Sequence, residues 1–175
     1  MAEGAGIGTL AAGARQGRQK EGGSLQNILV LFEATQESTE GLALAIGLGA
    51  VHQGANIRLR HLAPAPTALL AHKSYGRLKV DDLRWAEGIA VVLETGSPEA
   101  LGEIERCLAQ LSEAGDTFSK IAYVFGGNAE QKSIGHLHEE LHRAAFRLLS
   151  QEPANQAVTH SSMTQVGETL AGERI

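Results

Sequence analysis

The sequence predicts an α/β domain built on a mostly parallel sheet, and three observations support that class. Unbroken apolar runs recur along the chain, which is typical of strands that are covered on both faces. Stretches with the period of a helix follow several of these runs. Small or hydroxyl-bearing residues stand at the junctions, as expected where a strand passes into a crossover helix.

The first half of the domain contains two predicted strands and one helix. Asn27–Phe32 is the first strand, and a helix over residues 39–53 follows it, with Gly54 as the residue that ends the helix. Residues 56–62 alternate apolar with basic side chains, which predicts a strand at or near a sheet edge. Residues 63–80 form a connection that contains a helical turn or two.

The second half begins with the third predicted strand, Gly88–Leu93. Ser97 is a good N-cap and Pro98 a good first helical residue, so a helix is expected from there to about Gly115. The fourth strand is Lys120–Phe125.

The two ends of the chain are predicted to lie outside the core domain, which covers residues 25–150. Residues 1–24 are rich in Gly and Ala and indicate a flexible leader. A helix is predicted over residues 130–143, and residues 144–149 either extend it or form a fifth strand. Residues 151–175 are polar and without a clear period, which predicts a loose tail.

Composition excludes several classes of partner. The net charge is −5 and aromatic residues make up 4%, so neither a basic patch nor stacking platforms for nucleic acid are expected. No apolar run reaches the roughly 18 residues that span a bilayer. The single cysteine, Cys107, cannot form an internal disulfide and fits a reducing, cytoplasmic compartment.

Three loops are predicted to leave the carboxyl ends of strands with small or hydroxyl residues. They are Ala34–Thr39, Thr95–Pro98 and Gly126–Asn128. Ligands of parallel α/β sheets bind in the crevice outside those strand ends. The amino end of the first helix also offers amides and a positive dipole end, which suit a phosphate. The sequence therefore predicts a site for a phosphate-bearing cofactor.

Residues 27–149 resemble the flavodoxin-like superfamily, nearer to its NAD(P)H:quinone oxidoreductase and FMN-reductase branch than to the short electron carriers. The first strand with its hydroxyl loop, the segment Thr95-Gly96-Ser97-Pro98 and the strand-plus-loop 120–127 carry this resemblance. It implies a three-layer sandwich whose four to five mostly parallel strands have the order 2-1-3-4-5.

The resemblance also implies a cofactor and an activity. FMN would be bound with its phosphate in the first loop and its ring between the other two, and the chain would pass hydride or electrons from NAD(P)H to a small acceptor such as a quinone. Relatives of this kind are often dimers or tetramers. The implied FMN-binding residues are Thr35, Gln36, Ser38, Thr39, Thr95, Gly96, Ser97, Pro98, Gly126, Gly127 and Asn128.

Two departures from the family pattern favour a different hypothesis. Ala34 stands where the family loop usually opens with Ser, and Glu37 stands where a small residue is usual. A carboxylate 4 Å from a phosphate costs about 1 kcal/mol per charge pair in water and more when desolvated. The alternative is a flavodoxin-fold binding or assembly module that has lost its cofactor.

A second alternative comes from the segment His138-Glu139-Glu140-Leu141-His142, which matches the H-E-x-x-H pattern of zinc hydrolases. On a helix, His138 and His142 share a face and could bind Zn²⁺, with Glu139 as general base. A third ligand at a convincing spacing is missing from the sequence. With seven histidines in the chain, a solvated helix face is the simpler interpretation.

Overall fold

The computed structural model describes residues 26–63, 74–115, 119–149 and 158–173. The predicted leader over residues 1–24 and the helical turns expected near residue 70 lie outside the described residues. None of the helices in the described ranges is both long enough and apolar enough to cross a bilayer.

Among the described residues, a six-stranded sheet forms the middle layer, and its neighbouring strands are all paired in parallel. The strands are β1 Asn27–Glu33, β2 Asn56–His61, β3 Gly76–Arg77, β4 Gly88–Leu93, β5 Lys120–Gly126 and β6 Phe146–Leu148. Their order is β3-β2-β1-β4-β5-β6. Without β3 this is the predicted order 2-1-3-4-5. The sequence did not predict β3, because two residues show no hydrophobic period.

In the part of the chain that the structure describes, five helices cover the two faces of this sheet. They are α1 Glu37–His52, α2 Val80–Trp85, α3 Pro98–Glu113, α4 Gln131–Arg143 and α5 His160–Gly172. Val30 of β1 belongs to a core with α1 and α5, whereas Leu31 belongs to a core with α2, α3 and α4. Successive strand residues point to opposite faces, so a strand buried on both sides must be apolar throughout.

The two long helices that start beside the crevice begin differently. Ser97 caps α3 as predicted, because its Oγ accepts a hydrogen bond from the amide of Ala100 at 3.2 Å. Helix α1 begins at Glu37, two residues before the predicted start. Its N-cap position is occupied by Gln36, whose side chain makes no capping hydrogen bond.

Residues 160–172 correct the prediction of a loose tail. They form α5, which buries Met163 and Leu170 against α1 and the sheet. The two helices approach closely at glycines: a Cβ on Gly167 would lie 1.9 Å from the carbonyl oxygen of Ile46, and one on Gly49 would lie 1.9 Å from that of Thr164. Part of the buried face of α5 is therefore glycine, and Met163, Val166 and Leu170 are its larger apolar residues.

Candidate functional site

The three predicted loops lie side by side along one rim of the sheet. β1 pairs with β4, and β4 pairs with β5, so their carboxyl ends are neighbours. The register places Glu33 opposite Leu93 and Leu93 opposite Gly126. The loops that follow these strands therefore border one crevice, as the topology of a parallel sheet requires.

The loop after β1 is held by a side chain from the end of β4. Glu94 is 6% exposed, and its Oε2 accepts hydrogen bonds from the amides of Thr35 at 2.6 Å and Gln36 at 3.3 Å. Its Oε1 accepts a third bond from the Thr35 hydroxyl at 2.5 Å. Backbone and hydroxyl donors that the resemblance assigns to a phosphate are thus bonded to a carboxylate of the chain itself.

The loop after β4 is in turn bound by the last residue of β1. Glu33 is 2% exposed, and its carboxylate accepts bonds from the amides of Thr95, Gly96 and Ser97 at 3.1, 2.7 and 3.0 Å. The Thr95 hydroxyl adds a fourth bond at 2.9 Å. Burial opposes ionisation of Glu33, but the hydrogen bonds from Ser97, Gly96 and Thr95 outweigh it and hold the pKa of that carboxyl below its usual value.

The loop after β5 is joined to the end of β4 through the backbone. The amides of Gly127 and Asn128 donate to the carbonyl oxygens of Leu93 and Glu94, each at 2.8 Å. Two further donors of the crevice are therefore bonded within the chain.

The second and third loops also touch one another. Gly96 has a φ of +68°, which disfavours any other residue, and a Cβ built there would lie 3.1 Å from the Cβ of Ala129 and 3.3 Å from that of Ser133. A planar ring held between two surfaces needs a slot of about 7 Å, twice the distance of a carbon–carbon contact. Van der Waals contact between the loop after β4 and the start of α4 leaves no such slot at Gly96.

The remaining hydroxyl residues of the first loop lie on the first turn of α1. Ser38 is exposed and Thr39 is half-buried, and Glu37 is exposed at the surface. Glu40, one residue further, is buried and accepts a hydrogen bond from the Tyr75 hydroxyl at 2.5 Å. Burial and the Glu40 carboxylate raise the pKa of Tyr75 to about 12, so this phenol stays protonated at neutral pH.

A small aromatic cluster lies next to the first loop. The Phe32 ring packs edge-on against the rings of His61 and Tyr75, with centroids 5.2 and 4.9 Å away. His61 is 1% exposed, and its Nε2 donates to the carbonyl oxygen of Ala34 at 3.0 Å. Its Nδ1 has no hydrogen-bond partner among the described residues.

The histidines of α4 do not form a metal centre in the described part of the chain. No group of three or more His, Cys, Asp or Glu side chains there could hold a metal ion. His136 is instead paired with Glu105 of α3 at 2.8 Å, and partial burial lowers the pKa of His138. His142 is exposed. Within the described ranges, the zinc hydrolase alternative therefore gains no third ligand.

The residues of the crevice, as arranged, do not fit the FMN that the resemblance implies. Amides of Thr35 and Gln36 are bonded to Glu94, amides of residues 95–97 are bonded to Glu33, and the loops that would bracket the ring are in contact. From the sequence, Glu37 was expected to be the acidic residue that repels a phosphate in this loop. Glu33 and Glu94 were missed, although both stand directly at the end of an apolar strand run.

The fold is flavodoxin-like. A flavodoxin from the domain Archaea superposes with a TM-score of 0.55 at 19% identity, over 83% of this chain and 96% of its own. Diflavin flavoprotein A3 from Nostoc sp. gives 0.57 at 14% identity, over 85% and 93%. A flavone reductase gives 0.52 at 15% identity, over 83% of this chain and 62% of its own. At such identities the likeness concerns the fold alone.

Comparison by sequence adds nothing to this, since no protein-family model matches the chain and no curated protein matches it. The individual binding roles predicted for the loop residues accordingly stay predictions.

Proposed function

We propose that this chain is a flavodoxin-fold binding module whose strand-end crevice does not hold FMN. The position of Glu94 carries the proposal, because its carboxylate accepts hydrogen bonds from the amides of Thr35 and Gln36. Those amides are two of the donors that a phosphate would use in the first loop.

Lost hydrogen bonds and charge repulsion both argue against phosphate binding in the crevice. An entering phosphate displaces Glu94 from bonds that are worth about 1.5–3 kcal/mol each when one partner is charged. It also meets the negative charge of Glu94, and two like charges 4 Å apart repel by about 4 kcal/mol at an effective dielectric constant of 20. Glu33 adds a second buried carboxylate at the neighbouring strand end.

Flavin uptake by the purified full-length protein tests this proposal. We expect a colourless protein whose addition leaves the fluorescence of free FMN unchanged. The matched variant is Glu94→Ala, which releases the amides of Thr35 and Gln36 without changing the loop sequence. A yellow wild-type protein, or stoichiometric quenching of FMN fluorescence by it, overturns the proposal whatever the variant does.

The second candidate function is an FMN-dependent oxidoreductase that uses NAD(P)H and a small acceptor such as a quinone. Structural neighbours named as flavodoxin, diflavin flavoprotein and flavone reductase favour it. The hydroxyls of Ser38, which is exposed, and Thr39, which is half-buried, lie in the first turn of α1 and favour it as well. Oxidation of NADH or NADPH by the protein with added FMN and a soluble quinone tests it, and turnover above that of free FMN supports it.

A further inference from the structure

The outer edge of β2 is only partly covered in the described ranges. β3 pairs with the last two residues of β2 and leaves the first four without a neighbouring strand on that side. The amide of Asn56 donates inward to the carbonyl oxygen of Gln26, so by the alternation of a strand the main-chain groups of Ile57 and Leu59 point outward. The Leu59 carbonyl oxygen accepts a bond from the Arg60 guanidinium. The amide and carbonyl of Ile57 and the amide of Leu59 have no partner among the described residues.

Unpaired main-chain groups along a sheet edge fit one kind of occupant. They recur at every second residue of β2, about 6.6 Å apart, which is also their spacing in another extended chain. A helix has no free main-chain groups along its side, because its amides and carbonyls bond within the helix. The open part of the β2 edge therefore suits an added strand.

The side of this edge that faces α2 carries positive charge. Arg58 is 37% exposed, and its guanidinium lies 4.1 Å from the centroid of the Trp85 ring. Arg58 gives Asp82 a single bond at 3.2 Å, whereas Arg60 gives the same carboxylate two bonds at 2.8 Å. Two guanidinium groups share one buried carboxylate, so a net positive charge remains at the edge and favours an acidic side chain there.

The side of the edge that faces α1 is apolar. Ile57 and Leu59 are half-buried against the core beneath α1. A Cβ on Gly47 would lie 3.3 Å from Cδ1 of Ile57, so this side of α1 adjoins β2. Leu44 and Val51 stand three residues before and four residues after Gly47 on the same side of the helix, and they are 43% and 46% exposed. This side of the edge favours apolar side chains.

We propose that the outer edge of β2 binds an extended segment of a partner protein in which apolar and acidic residues alternate. The main chain of the segment pairs with Ile57 and Leu59. Successive side chains of a strand point to opposite faces, so the apolar ones lie beside Leu44 and the acidic ones beside Arg58. The inference rests on the proposed function only in giving the binding module a partner, because the first residues of β2 lie at the opposite end of the sheet from the crevice.

The short length of the open edge sets a low affinity. Four residues of a strand span about 13 Å, and three unpaired groups offer few main-chain bonds. We expect a dissociation constant of about 10⁻⁵ to 10⁻³ M for a short peptide.

Binding of a blocked synthetic heptapeptide of alternating glutamate and valine to the full-length protein tests the inference. Trp85 is the only tryptophan of the chain and lies under Arg58, so its fluorescence reports occupancy of the edge. The peptide is expected to bind at least about fivefold more tightly than one with lysine in place of glutamate. The net charge of −5 favours the lysine peptide, so the opposite preference reports the local charge. No binding of the glutamate peptide, or equal binding of both, overturns the inference.

A charge variant locates the binding site. Arg58→Gln is expected to raise the dissociation constant of the glutamate peptide about two- to fivefold. The matched control is Arg147→Gln in β6, at the opposite edge of the sheet, which also loses one ion pair and leaves the dissociation constant unchanged. Equal effects of the two substitutions contradict a site at the β2 edge.

Amide methylation of the peptide tests strand pairing without altering the protein. In an added strand, the amides that face β2 belong to every second residue. One peptide is methylated at all valine amides and another at all glutamate amides, and only one of the two is expected to lose binding. Equal losses, or none, overturn strand pairing. Trp85 fluorescence that changes with protein concentration alone would place a second copy on the edge and overturn the assignment to a different partner.

A flavin spectrum recorded on the same samples separates the two proposals. A yellow protein that binds the glutamate peptide overturns the cofactor-free function and leaves the edge site standing. A colourless protein that does not bind the peptide does the reverse.

Discussion

The backbone amide of Glu94 donates to the carbonyl oxygen of Glu33 at 3.1 Å, so the two acids leave neighbouring strand ends from hydrogen-bonded residues. Each side chain then holds the loop that follows the other residue's strand. Glu33 binds the amides ahead of α3, and Glu94 binds the amides ahead of α1. Each carboxylate thereby supplies a negative charge near the positive dipole end of a helix.

Removing the Glu94 carboxylate is expected to destabilise the fold. Glu94→Ala leaves the amides of Thr35 and Gln36 and the Thr35 hydroxyl without their charged acceptor, which lowers the free energy of unfolding by about 2–3 kcal/mol. Urea unfolding measures the change. The control Glu113→Ala, at the exposed end of α3, shifts stability by less than about 0.5 kcal/mol. Equal losses in both variants would contradict a special role for Glu94.

Inorganic phosphate is expected to raise the thermal stability of the Glu94→Ala variant. Once the Glu94 carboxylate is removed, inorganic phosphate can reach the amides of Thr35 and Gln36, and binding to the folded state raises the thermal midpoint in proportion to ln(1 + [phosphate]/Kd). Thermal unfolding in phosphate and in chloride at matched ionic strength checks this. The wild type should show only the smaller stabilisation that a kosmotropic anion gives to folded proteins in general, and a wild-type response as large as the variant's refutes the capping of this loop by Glu94.

Acid is expected to weaken the Glu33 interaction. The pKa of Glu33 is lowered in the folded state, so its contribution to stability is complete above the usual Glu pKa and is lost as the pH falls through the folded value. Glu33→Gln cannot ionise, and its stability deficit relative to wild type should be largest near neutral pH and shrink below about pH 4. Urea unfolding from about pH 7 to about pH 3 measures this, and a deficit that stays constant over the range excludes the carboxylate charge as the cause.

Much of the fold could be predicted because burial on both faces forces strands to be apolar. β4 was predicted at its observed bounds, and the Ser97 cap of α3 was correct, because a proline at the first helical position leaves few alternatives. Residues 158–173 were missed for a physical reason. Helix α5 contacts α1 through Gly167, so the face that it buries has Met163, Val166 and Leu170 as its larger apolar residues and is easily overlooked in a polar segment.

The site could be predicted only in part from the sequence. Strand order alone brings the three loops together, so their position at one rim followed from the pattern of strands and helices. The hydrogen-bond partners of the loop amides could not be predicted in this way. The contacts between Glu33 and Gly96 and between Glu94 and Thr35 join residues about 60 positions apart. The sequence signal for these contacts was an acidic residue at the end of each apolar strand.

The contact between α1 and α5 provides the sharpest test of packing. Gly167→Ala puts a Cβ 1.9 Å from the Ile46 carbonyl oxygen, so the helices must separate, at a cost of about 1–3 kcal/mol or more. Gly102→Ala in the middle of α3 is the matched control, since its Cβ meets nothing within 4 Å. That control should gain about 0.5–1 kcal/mol from better helix propensity. Opposite signs in urea unfolding are expected. A Gly167→Ala variant as stable as wild type would mean that α5 does not pack on α1 in this way.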